Sequence, residues 1–306
     1  VKPPEGIGLI GTITYDVIHS DSGGVYTGLG GILYQTAVCS ALAKAVFLFT
    51  NIGEGMADRV EKAIRLWPSL RGEGIQPVPG PGNRVLLHYP EKGERREILE
   101  SVVPPLDPDK VLQNLGQLRM LICVFNSGFD ITLEDWRRIV DASSCPLWLD
   151  VHSLVLSREL NVPRTYISGI SWENWAKGVT YLQANKTELA SLMGQVGREL
   201  TEENIKQFGW RAFDLGLHGV FITLGRDGVW VLTPLRAQRI VSSHSGEVVD
   251  TTGCGDVFCA VTANELSEGI DPFSAAQAGV KLAAQATAVK GVEETFTLVS
   301  RVGRRL

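Results

Sequence analysis

The chain has 306 residues, 44% hydrophobic and 21% charged, which suits a single α/β unit with a sizeable core. With 29 Lys and Arg against 34 Asp and Glu, the formal net charge of −5 argues against a dedicated nucleic-acid binder while leaving room for one local anion site. The five cysteines, Cys39, Cys123, Cys145, Cys254 and Cys259, are odd in number and contain no CxxC pair, which disfavours a disulfide framework or structural zinc and points to a reducing, cytoplasmic setting. No apolar run reaches membrane length, and the first 30 residues lack a basic start followed by an apolar stretch, so neither a membrane span nor a signal peptide is expected.

In chain order, residues 6–14 read as a first strand. Gly6-Ile-Gly8-Leu-Ile-Gly11 also fits GxGxxG, but a dinucleotide fingerprint must follow a strand and open a helix, and only five residues precede Gly6. Residues 17–20 and 25–27 form a possible hairpin around Asp21-Ser22-Gly23-Gly24. A helix over 33–45, a strand over 46–50 and a helix over 58–66 follow. Residues 73–83 (EGIQPVPGPGN) read as a loop. A second hairpin, 84–89 with 94–99, turns at PEKG. Beyond it, strands are expected over 120–125, 147–151, 179–184, 220–223 and 229–232. Helices are expected over 132–142, 187–193, 201–215, 256–267 and 275–289. Short apolar strands spaced by helices indicate a mostly parallel sheet covered on both faces, with ligands bound beyond the strand carboxyl ends. The two hairpins, within about 15–29 and 83–100, would leave this single domain as a lid. No GxxxxGK[ST] P-loop occurs.

The most telling segment is Asp250-Thr-Thr-Gly-Cys-Gly-Asp256-Val-Phe258. Two acids flank a Gly-rich turn, and an apolar helical pattern follows at once. The backbone amides of Gly253, Cys254 and Gly255 then sit at a helix N-terminus, where orphan N–H groups and the helix dipole favour an anion. A carboxylate beside such a pocket repels a bare phosphate, and it makes chemical sense at Asp256 if it accepts a proton from an attacking hydroxyl. An ordinary helix N-cap at Asp256 is the bland alternative.

DTTGCGDVF resembles the C-terminal signature of the PfkB/ribokinase family of carbohydrate and nucleoside kinases, usually written DTxGAGD. Gly30-Gly31 followed by LYQTAVCSALA resembles the family's double-glycine motif. Asn185-Lys-Thr-Glu188 resembles its NxxE motif, ITLGRDGVWVL its nucleotide-side hairpin, and RVLLHYPEKGERREIL its lid hairpin. The motifs run in the family's order over nearly the whole chain. The resemblance implies a ribokinase-like three-layer α/β sandwich with a small β lid. It implies transfer of the ATP γ-phosphoryl group to a hydroxyl of a sugar or sugar-like alcohol, with Mg²⁺. Asp256 would be the general base and the amides of Gly253, Cys254 and Gly255 the anion hole. Asn185 and Glu188 would hold Mg²⁺ through water. Thr223, Gly225, Gly228 and Thr251 would lie at the nucleotide, and Asp16, Gly30, Gly31 and Gln35 at the acceptor. A monovalent cation near Asp250 and a homodimer clasped through the lid are further family features. No nucleic acid or membrane partner is implied.

Departures from the family pattern leave the acceptor open. Gln35 stands where the family often has an Asn that grips sugar hydroxyls, and Ile32, Leu33 and Tyr34 make its surroundings less polar. A nucleoside kinase of the same family is therefore one alternative, and a non-catalytic nucleotide- or sugar-binding regulator a second. Asp150 and His152 close LWLDVHS without the family's usual Asn and Arg, so His152 reads as an ordinary loop histidine. Cys254 replaces the usual Ala, and a helix N-terminus there would lower its thiol pKa and make it oxidisable.

Overall fold

The computed structural model describes residues 4–20, 24–43, 45–89, 96–242 and 248–303. The tips of both expected hairpins, 21–23 and 90–95, lie outside the described residues.

The chain opens on β1 (Gly6–Ile10), β2 (Ile13–Ser20) and β3 (Val25–Gly31). The strand expected over 6–14 is thus two strands, and the GxGxxG-like stretch is β1 itself. Its break has a long-range cause: the Asp130 carboxylate accepts hydrogen bonds from the Thr12 amide at 2.9 Å and the Thr12 hydroxyl at 2.8 Å, pinning a corner where the chain changes sheet. Next come α1 (Leu33–Leu42), β4 (Ala45–Gly53), α2 (Ala57–Ile64), β5 (Leu70–Arg71), β6 (Ile75–Val78), β7 (Asn83–Tyr89) and β8 (Arg96–Ser101). Residues 73–83, expected as loop, contain β6, which pairs in parallel with β4. The chain continues through α3 (Asp109–Asn114), β9 (Leu118–Val124), α4 (Leu133–Ala142), β10 (Leu147–Asp150) and α5 (Trp172–Ala176). Then follow β11 (Tyr181–Asn185), α6 (Lys186–Leu192), α7 (Glu202–Asp214), β12 (Gly219–Thr223), β13 (Val229–Leu232) and β14 (Ala237–Ile240). Helices α8 (Cys254–Ser267), α9 (Pro272–Ala286) and α10 (Gly291–Val302) end the chain.

Among the described residues, the main sheet runs β14-β13-β12-β11-β10-β9-β1-β4-β5, with β6 beside β4. It is parallel from β5 to β12, and β13 and β14 add antiparallel strands at one edge. The period-2 alternation of side chains divides the core in two. On β9, Leu121 and Cys123 join the cluster with Trp136, Trp172 and Phe208 on one face. Met120, Ile122 and Val124 join Val38, Phe258 and Val261 of α1 and α8 on the other. Trp148 of β10 lies on the α8 face, stacked on Phe221 with ring centroids 4.8 Å apart. Asp150, two residues on, therefore points to that same face at the strand's carboxyl end.

A second sheet, β3-β2-β7-β8, is formed by both expected hairpins, joined by parallel pairing of β2 with β7. It is tied to the body by a buried ion pair, Arg164 Nη1 to Glu97 Oε1 at 2.8 Å, with side chains 0% and 9% exposed. Arg164 also donates to the carbonyls of Ser127 and Ser157, both at 3.0 Å.

Candidate active site

The carboxyl ends of β9, β10, β11 and β12 open beneath the second sheet into a cavity of about 750 Å³. Sheet register explains the convergence: Asp150 sits beside Val124 and Gln183, and Asn185 beside Thr223, so one rim presents several polar side chains. Asp16, Val85, Leu87 and Glu97 of the second sheet face the same space.

Helix α8 starts at this rim. Its N-cap is Gly253, with φ of +80° in the left-handed region. A side chain there would also strike the Tyr34 ring, so glycine is required twice over. A Cβ at Gly255 would meet only open space, which leaves that amide approachable. The Cys254 amide donates to the Thr251 carbonyl at 3.3 Å, a long bond that closes the turn, so it is partly engaged already. Thr252 N–H donates to Asp250 Oδ1 at 2.8 Å and fixes the approach to the turn. Asp256 stands in the first turn of α8, half-buried, on the cavity wall.

Around Asp256, Gln183 Nε2 donates to Asp150 Oδ2 at 3.1 Å and to the Gly255 carbonyl at 3.2 Å, coupling the sheet to the helix start. Burial, with the Glu188 and Asp256 carboxylates nearby, pushes the Asp150 carboxyl well above the ordinary carboxylate range. Asn185 caps α6 in a reciprocal capping box. Its Oδ1 accepts from the amides of Thr187 and Glu188 at 2.9 and 2.8 Å, and Glu188 Oε2 accepts from the Asn185 amide at 2.7 Å. Asn185 Nδ2 donates to Glu188 Oε1 at 2.6 Å. Both residues still line the cavity, as do Thr223, Gly225, Gly228 and Thr251.

Of the residues expected at the acceptor, Asp16 and Gly31 line the cavity, and a Cβ at Gly30 would collide with the Asp16 carboxylate. Gly30 thus leaves the room that the Asp16 carboxylate occupies. Gln35 is fully buried and donates through Nε2 to Asp256 Oδ1 at 2.5 Å. The structure therefore places it behind the carboxylate rather than on the cavity surface.

Two expectations change. His152 is not an ordinary loop residue: it lines the cavity at the end of β10 with a strained φ of +29°, and its Nδ1 pairs with Ser153 Oγ at 2.9 Å. Burial, followed by the Asp256 and Asp250 charges, pushes the Cys254 thiol up to about 12. The helix N-terminus does not make it a ready thiolate, because two carboxylates and desolvation outweigh the dipole. Sequence reasoning also missed Glu97, Asn126 and Arg164 on the wall. Asn126 could have been found, since it follows the apolar run of residues 120–125 where a parallel sheet presents ligand-facing residues.

Residues 170–297 match the model of the pfkB family carbohydrate kinases. A ribokinase of Schizosaccharomyces pombe is 31% identical over 90 residues, covering 29% of this chain but only 28% of that protein. A deoxyribokinase of Salmonella typhi is 22% identical over 288 residues, covering 91% of this chain and 88% of its own. The Arabidopsis thaliana ribokinase complexed with ribose and ATP superposes with a TM-score of 0.74 at 17% identity, covering 97% of this chain and 99% of its own. The segment that matches the pfkB carbohydrate kinase model contains the cavity's Gly-rich turn and Asp256, and the fold of nearly the whole chain is that of the ribokinase structure.

Proposed function

We propose that the protein is an ATP-dependent phosphotransferase that moves the γ-phosphoryl group to a hydroxyl of a sugar or sugar-like alcohol. The observation that carries this reading is the convergence on one cavity of Asp256, the Gly253 to Gly255 turn at the α8 N-terminus, Asp16, and the Asn185 and Thr223 edge. In-line transfer needs positioning and charge stabilisation more than covalent chemistry. Asp256 accepts the proton of the attacking hydroxyl, while Asp16 accepts hydrogen bonds from the acceptor's other hydroxyls. The amides at the start of α8, chiefly those of Gly253 and Gly255, stabilise charge on the transferring group. Thr223, Gly225, Gly228 and Thr251 contact the nucleotide. The second sheet acts as the lid that keeps water from the phosphoryl group.

The residues present suit Mg²⁺ held mostly by phosphate and water. Glu188 offers hard carboxylate oxygens at the cavity, with Asn185 locked beside it, while no cluster of three or more His, Cys, Asp or Glu side chains suited to a metal occurs among the described residues. When bound, the ion would neutralise charge on the phosphates. Tyr34 favours a second reading, a nucleoside acceptor. Its ring packs against Gly253 on the cavity wall, and burial, aided by Asp16 and Asp250, raises its hydroxyl pKa and keeps it neutral. Both readings are tested by ADP release over a panel of sugars, sugar phosphates, polyols and nucleosides. Turnover with one acceptor supports the proposal and names its class. Nucleotide binding with no turnover across the panel would contradict it and favour a binding protein.

A further inference from the structure

Gln35 is a buried side chain that the proposed chemistry does not use. It projects from the first turn of α1, which packs against α8, and it has no exposed surface. Its Nε2 donates to Asp256 Oδ1 at 2.5 Å. Because a carboxylate only accepts, this contact fixes which end of the amide faces Asp256. The other end, Gln35 Oε1, is buried with no hydrogen-bond partner among the described residues. A residue selected only to fill the α1/α8 interface would be apolar, since burying an unpartnered carbonyl is unfavourable. The polar side chain is explained by what its nitrogen holds.

We propose that Gln35 is a positioning residue for Asp256, and the role rests on Asp256 being the general base. Anchored at Oδ1, the carboxylate is held in orientation on the cavity wall, where it can take the hydroxyl proton. The bond also favours the ionised form of a group crowded by other acids. Asp150 on β10 and Asp250 before α8 lie close, with Glu188 on α6 beyond Asp150. Asp16 acts on the same Tyr34 ring, and the neutral Tyr34, Cys254 and Cys259 also lie nearby. A donor on Asp256 opposes that repulsion.

The test compares the native protein with Gln35→Met, which keeps volume but has no N–H, and Gln35→Asn, which stays polar but is one methylene too short. ¹³C NMR titration of the Asp256 carboxyl needs no turnover, so it tests the contact even if the kinase reading fails. The midpoint should rise in both variants. With the acceptor in hand, kcat should fall about tenfold at near-native acceptor KM, and the acidic limb of kcat/KM should move to higher pH. An unchanged Asp256 midpoint would overturn the proposal. So would a raised acceptor KM with native kcat and an unmoved limb, which is the signature of a residue gripping acceptor hydroxyls. Absence of turnover in the native protein would refute the kinase reading instead, and the NMR midpoint would still decide whether Gln35 holds Asp256.

Discussion

Asp150 and Asp256 are both carboxylates on one wall, yet their surroundings assign them different work. Asp256 is half-buried at a helix start, whereas Asp150 is almost fully buried among acids. The folded Asp150 carboxyl titrates above its unfolded value, so above the ordinary carboxylate range the unfolded chain has already released a proton that the folded one retains. Stability contributed by this group is therefore lost as pH rises from the ordinary carboxylate range through the raised folded value. Asp150→Asn should remove that slope, raising the thermal midpoint more at pH 8 than at pH 4. Melting curves of the two proteins at both pH values check this, and an equal shift at each would contradict it. Gly253 is the other residue with a sharp expectation. Gly253→Ala must place a Cβ at φ of +80° and against the Tyr34 ring, which costs about 1–2 kcal/mol for the backbone alone. Denaturant titration should show at least that loss, with nucleotide affinity reduced because the turn must shift.

At the scale of elements, the Gly-rich turn and α8 were legible because the chemistry and the fold signal coincide in one short segment. The same holds for Asn185 and Glu188, whose capping-box spacing marks a helix start whether or not they meet a metal. The facing wall of the cavity was not legible in that way. Glu97, Asn126, His152 and Arg164 come from β8 and from loops after β9 and β10, and no local spacing announces that they meet. Helix α10 was passed over although Val292, Thr295 and Val299 are its buried face at helical spacing, a pattern diluted by charged neighbours. The corner at Gly11 and Thr12 was hidden for a different reason: its cause is Asp130, more than a hundred residues away. The Arg164–Glu97 pair is the element-scale contact with the largest expected effect. Glu97→Ala leaves a buried guanidinium without its counter-charge, a loss of about 3–5 kcal/mol. Urea unfolding of this variant should move to a clearly lower midpoint, and an unchanged midpoint would mean that the second sheet is not held by this pair.

For the whole molecule, two cores share one sheet, and a second sheet lies over the carboxyl edge where ligand chemistry gathers. No helix among the described residues is long and apolar enough to cross a membrane. On the proposed reading, the acid-rich cavity suits a nucleotide that brings its own cation and an acceptor recognised by hydrogen bonds. The central claim is that one carboxylate, Asp256, takes the proton while the phosphoryl group passes to an acceptor hydroxyl. The most direct test is ³¹P NMR of the products formed from ATP and the best panel acceptor, by the native protein and by Asp256→Asn. The account predicts a phosphate monoester on the acceptor, formed about 10²-fold or more slowly by the variant, which still binds nucleotide. Equal monoester formation by both proteins, or inorganic phosphate as the only product, would contradict it.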